Sequence, residues 1–116
     1  MLTFSGYQAQ AHGTAQYPAD RAIEYLVCGL ASEAGEVAGK WKKVIRDEGG
    51  IIPDDGPHSI EAMLAEVGDV FWYCAELCTM LGATLEDVAQ YNLDKLRKRS
   101  DEDVIKGDGD NRTGKE

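Results

Sequence analysis

The chain of 116 residues carries 12 Lys and Arg against 21 Asp and Glu, a net charge of −9, and is 43% hydrophobic. That length allows one domain with a small core, and so acidic a surface disfavours nucleic-acid polymers and anionic membranes as partners. No stretch approaches the roughly 18 apolar residues of a membrane span, and the N-terminus shows no signal-peptide pattern, so the expected compartment is the cytoplasm.

Residues 1 to 19 mix aromatic, small and polar types, with a short helix expected over Ser5 to Ala15, capped by Ser5, before the Tyr17-Pro18 break. Asp20 is the expected cap of a long second helix. Its apolar stripe runs Ile23, Leu26, Val27, Leu30, Ala34, Val37, Ala38, Trp41, Val44 and Ile45, the spacing of one helical face. Trp41 is expected in the core. Glu33 lies at the edge of this stripe, with Glu36, Lys40 and Lys43 on the same flank. The helix should end near Asp47, before Gly49-Gly50 and a loop reaching Pro57.

Ser59 or Pro57 opens a third helix. Its stripe runs from Ile60 to Leu81, and Glu66, Asp69 and Tyr73 share the adjoining flank, with Glu76 at its margin. Gly82 closes it. Thr84 and Asp87 have capping-box spacing for a fourth helix. Asn92 falls in the middle of that helix's apolar face, where an unpartnered amide costs energy, and Lys95 and Arg99 follow along the same side. From Ser100 the sequence is polar and glycine-rich, so the expected organisation is a domain over 1–100 and a flexible arm over 101–116. No strand pattern of useful length appears, and the expected class is all-α.

Glu33-x-x-Glu36 and Glu66-x-x-Asp69 each place two carboxylates on one helix face, close enough to share a cation. Two such pairs on facing helices offer oxygen donors suited to Mg²⁺. So small a domain relies on oligomerisation to complete the walls around such a cluster. Cys28, Cys74 and Cys78 are odd in number and read as core cysteines rather than a disulfide or zinc framework. His12 and His58 show no spacing to the cysteines, and both sit in poorly defined regions, so neither is expected to be catalytic. A di-iron bundle needs Glu-x-x-His pairs, which positions 36 and 69 do not supply.

The two acidic pairs, separated by 29 residues, resemble the signature of MazG-type nucleoside triphosphate pyrophosphohydrolases. The contexts agree: Gly29-Leu30-Ala31-Ser32-Glu33-Ala34-Gly35-Glu36-Val37 with Lys40-x-Lys42-Lys43, Glu66-Val67-Gly68-Asp69-Val70-Phe71-Trp72-Tyr73, and Asn92-Leu93-x-Lys95-Leu96-x-x-Arg99. The resemblance spans about Tyr7 to Arg99. It implies a four-helix bundle completed by oligomerisation into a homodimer or homotetramer, with sites built partly across subunits. It further implies hydrolysis of (deoxy)nucleoside triphosphates to the monophosphate and pyrophosphate. Glu33, Glu36, Glu66 and Asp69 are then the Mg²⁺ (or Mn²⁺) ligands, and one of them is the general base. Lys40, Lys43, Lys95 and Arg99 are candidates for holding phosphates, Asn92 for a phosphate or the sugar, and Tyr73 for the base or sugar. Tyr7, Gln8 and Gln10 are weaker candidates for the base pocket, and Trp72 is assigned to either that pocket or a subunit interface. The alternatives are another all-α pyrophosphohydrolase, resembling dimeric dUTPases or phosphoribosyl-ATP pyrophosphatases, and a non-catalytic helical module that binds a nucleotide or partner.

Overall fold

A computed structural model describes residues 1–101. Four α-helices account for most of them: α1 (Phe4–His12), α2 (Ala22–Asp47), α3 (Ile60–Met80) and α4 (Leu85–Asp101), with a 3-10 turn at Ala19–Arg21. No strand occurs among the described residues, and the all-α class holds. Ser100 and Asp101 continue α4 rather than opening an arm; the rest of the expected arm lies outside the described residues.

The helix ends follow local chemistry, twice at positions other than those expected. Thr3, not Ser5, caps α1, its hydroxyl accepting from Gly6 N at 3.0 Å. Ser5 is instead held by Glu86, whose carboxylate accepts from its backbone N at 2.8 Å and its hydroxyl at 2.7 Å. Asp20 does not cap α2, because the chain leaves Pro18 in a 3-10 turn closed by Arg21 N donating to Pro18 O at 3.3 Å. Ser59 caps α3 as expected, accepting from Ala62 N at 3.2 Å. At the start of α4, Thr84 accepts from Asp87 N at 3.1 Å, and Gln8 of α1 accepts from Leu85 N at 2.9 Å. The α2 and α3 stops pass through Gly49 (φ 66°) and Gly82 (φ 76°), left-handed positions that a Cβ disfavours.

The central unit is the α2–α3 pair. Gly29 meets Tyr73 and Lys40 meets Glu66, so position rises along one helix as it falls along the other, and the two run antiparallel. At 26 residues, α2 is about 39 Å long. Across the far end of α3 lies α1, where Ala11, Ala75, Cys78 and Leu85 form a small core beneath Tyr7, Phe71 and Trp72. Here α1 is tied down by polar bonds as well. Gln8 Nε2 donates to Thr79 Oγ1 and to Ala83 O, each at 3.0 Å.

Only part of the expected stripe is covered. Leu26 and Val44 are fully buried, whereas Ile23, Val27, Ile45 and Trp41 are exposed, Trp41 at 43%. The core assignment of Trp41 is therefore corrected: α3 covers one strip of α2, and among the described residues the remaining strip stays exposed. Cys28 is likewise exposed rather than core, while Cys78 is buried. Among the described residues, no helix is long and apolar enough to cross a membrane.

Candidate active site

Because α2 and α3 are antiparallel, the middle of one faces the middle of the other, and the two acidic pairs sit there. Glu33, Glu66 and Asp69 each offer a carboxylate oxygen, all within 4.8 Å of one another. Glu36 falls outside this group and is exposed one turn further along α2. The electrostatics record the convergence. The Glu33 carboxyl is pushed above its ordinary value, first by loss of hydration and then by the charges of Asp69, Glu66 and Glu36. Gathered carboxylates that repel one another are stabilised by a cation between them, and oxygen-only donors suit a hard divalent ion. The residues present therefore fit a metal of the Mg²⁺ type.

Lys40 partly offsets this charge. Its ammonium lies 4.0 Å from Glu66 Oε1 and donates to Pro57 O at 3.3 Å, joining the α2–α3 loop to the acidic centre. Lys43 is exposed on the next turn, where its charge helps lower the Asp47 carboxyl after the stronger effect of Arg46. His58 Nδ1 is 3.4 Å from Glu48 Oε2, across that same loop and away from the acids.

One turn past Asp69, Tyr73 lies directly against Gly29. Any Cβ at that position would collide with the tyrosine ring, so the glycine is what admits it. The Tyr73 hydroxyl is held above its ordinary value by burial, then by hydrogen bonding to Tyr25, with smaller contributions from Tyr25, Glu33 and Asp69. Tyr73 and Tyr25, with Pro18, Cys28, Gly29 and Ser32, line an open groove of about 550 Å³. Aromatic walls thus adjoin the acidic centre. Behind them, Tyr17 stacks on Tyr25 at 5.7 Å and 25°, and Trp72 meets Tyr73 edge-on at 4.9 Å. Trp72 Nε1 also donates to Thr14 Oγ1 at 2.9 Å, pinning the segment after α1.

The N-terminal candidates for a base pocket are not at this groove. Tyr7 packs on Phe71, Gln8 ties α1 to the α3–α4 turn, and Gln10 is exposed. Nor does the single chain bring in α4, because it packs against α1 and α3 and has no contact with α2. On it, Asn92 is exposed, Lys95 lies 5.7 Å over the Tyr91 ring, and Arg99 is buried at 7%. Helical periodicity missed Tyr17, Tyr25 and Glu76. The Tyr25 position falls between stripe residues, and the other two act through the fold of residues 13–18. The one sequence signal was that Glu76 continues the Glu66, Asp69 and Tyr73 face by a further turn.

Fold and site together define an all-α protein with an oxygen-donor acidic centre between two antiparallel helices. The family model of the MazG nucleotide pyrophosphohydrolase domain matches residues 21–104, and the chain belongs to that family. The chain is also 43% identical over 112 residues to the Gene 37 protein of Mycobacterium phage L5, covering 91% of this chain and 96% of that one. No solved structure matched. Members of the family are usually nucleotide pyrophosphohydrolases and are generally metal-dependent.

Proposed function

We propose that the protein hydrolyses (deoxy)nucleoside triphosphates to the monophosphate and pyrophosphate, by attack of water at the α-phosphorus. The observation that carries this proposal is the convergence of Glu33, Glu66 and Asp69 beside an aromatic groove, in a chain of the MazG family. Glu33, Glu66 and Asp69 would hold Mg²⁺, with Glu36 as the fourth acid one turn away. Bound there, the ion would neutralise phosphate charge and make a neighbouring water more acidic. A carboxylate of the cluster takes the proton of the attacking water.

Lys40 is placed to exchange its contact with Glu66 for a phosphate oxygen once a cation neutralises the acids. Lys43 extends that basic flank. In the groove, Tyr25 and Tyr73 offer ring faces to the base or sugar. Asn92, Lys95 and Arg99 hold phosphates from the α4 of a second copy, since their own α4 does not pack on α2. The uncovered apolar residues of α2 (Ile23, Val27, Trp41 and Ile45) supply surface for such a homodimer or homotetramer.

The test is a panel of ribo- and deoxyribonucleoside triphosphates with Mg²⁺, resolving monophosphate plus pyrophosphate from diphosphate plus phosphate. Glu66→Gln and Asp69→Asn are run alongside. The expected outcome is monophosphate and pyrophosphate from at least one nucleotide, abolished by EDTA and reduced at least ~100-fold in either variant. Absence of turnover by folded, metal-loaded protein would leave the non-catalytic binding module in its place.

A further inference from the structure

Glu76 has no part in the chemistry above, yet it is among the most buried polar groups described, at 0% exposure. Two groups, one from the last residue of α1 and one from the segment after it, converge on one of its oxygens. The Tyr17 hydroxyl donates to Oε1 at 2.6 Å, and His12 Nδ1 lies 3.0 Å from the same atom. Oε2 is buried with no hydrogen-bond partner. Burying a carboxyl with one oxygen unmatched is costly. In a helix interior a leucine would stabilise the core more simply.

The geometry shows what the carboxyl holds. Tyr17 is anchored by its hydroxyl, and its ring stacks on Tyr25 at 5.7 Å. Tyr25 in turn lies 6.5 Å from Tyr73, and both line the groove. The residue after Tyr17, Pro18, forms part of the same wall. One buried atom on α3 therefore fixes the stretch of chain that props the aromatic wall from behind. Without it, residues 13–18 are held mainly by Trp72 to Thr14 and by local turns.

We propose that Glu76 is a positioning residue for the substrate's base, acting through Tyr17 to hold Tyr25 and Pro18 as a preformed wall. The proposal rests on the groove being the base site. A preformed wall lowers the ordering cost of binding, so its loss appears in KM rather than in the chemical step.

The variants are Tyr17→Phe, Glu76→Leu, Glu76→Gln, Tyr17→Phe/Glu76→Leu and Tyr25→Ala, assayed with the nucleotide identified by the panel and melted thermally. Tyr17→Phe keeps the ring and the buried carboxyl, so it carries the test even if Glu76→Leu fails to fold. Expected are KM increases of roughly five- to tenfold in Tyr17→Phe and Glu76→Leu, with kcat within about twofold. The double variant should be no worse than Glu76→Leu alone, because the two act through one contact. Glu76→Gln, which keeps an acceptor for Tyr17, should stay near the wild-type KM. If Tyr25→Ala raises KM while Tyr17→Phe and Glu76→Leu change only the melting temperature, the positioning role is overturned and the base site stands. Additive effects in the double variant overturn it too. If Tyr25→Ala leaves KM unchanged, or the wild type turns over no nucleotide, the base-site assignment and the proposal fall together.

Discussion

Gly29 shows how a single missing atom shapes the site. The Tyr73 ring occupies the space a side chain would take, so Gly29→Ala must displace either the ring or the α2 backbone. Overpacking of this kind costs about 1–3 kcal/mol, visible as a lowered denaturation midpoint. KM should rise as well, because the displaced ring is a groove wall. Gly35, on the same helix, has nothing within 4 Å of the point where a methyl would stand, and it serves as the comparison: Gly35→Ala should leave stability unchanged or higher. Tyr17 gives a second prediction at this scale. Burial, then its bond to Glu76, pushes its hydroxyl up to about 12. A folded-state value above the unfolded one, near 10, favours the folded state at low pH. That contribution is complete below about pH 10 and is lost as the pH climbs towards 12. Wild type should therefore exceed Tyr17→Phe by about 1 kcal/mol at pH 8, and the gap should close between pH 10 and 12. Chemical denaturation of both proteins across that range measures it. A constant gap would mean that Tyr17 makes no such bond. The comparison must be between these two proteins, since Tyr7 and Tyr73 are also raised.

At the scale of elements, the long helices were legible because each obeys one rule over several turns. Ser59, Gly49 and Gly82 fix ends where local chemistry is unambiguous. Both acidic pairs could be placed on α2 and α3 because i, i+3 spacing is a property of one helix. Their meeting in space required the antiparallel pairing, which Gly29 against Tyr73 establishes and which periodicity does not encode. The short segment between α1 and α2 was the least legible. Its turn follows from Pro18, but its position follows from Tyr17 reaching Glu76 beside His12 at the end of α1, contacts between residues about sixty apart. Trp41 was misplaced for the opposite reason. An apolar stripe says that a face is to be covered, not whether its own chain covers it.

For the whole molecule, a thin core and a divided set of candidate residues point the same way. Large apolar side chains on α2, α3 and α4 remain exposed in one chain, and the α4 basic residues lie on a helix that does not touch α2. A site completed by a second copy makes a definite prediction. Asp69→Asn and Lys95→Ala, each weak alone, should recover activity when unfolded together and refolded as a mixture, because some hybrid sites carry neither lesion. Recovery to about a quarter of wild type is expected for a randomly mixed dimer with two independent sites. No recovery, with mixed oligomers demonstrated, would place the whole site within one chain.

In the proposed reaction the acidic centre directs water to the α-phosphorus. Its most direct test is turnover of the preferred nucleoside triphosphate with Mg²⁺ in ¹⁸O-labelled water, followed by mass spectrometry of both products. The label is expected in the nucleoside monophosphate and not in pyrophosphate. Label in pyrophosphate would place the attack at the β-phosphorus and contradict it.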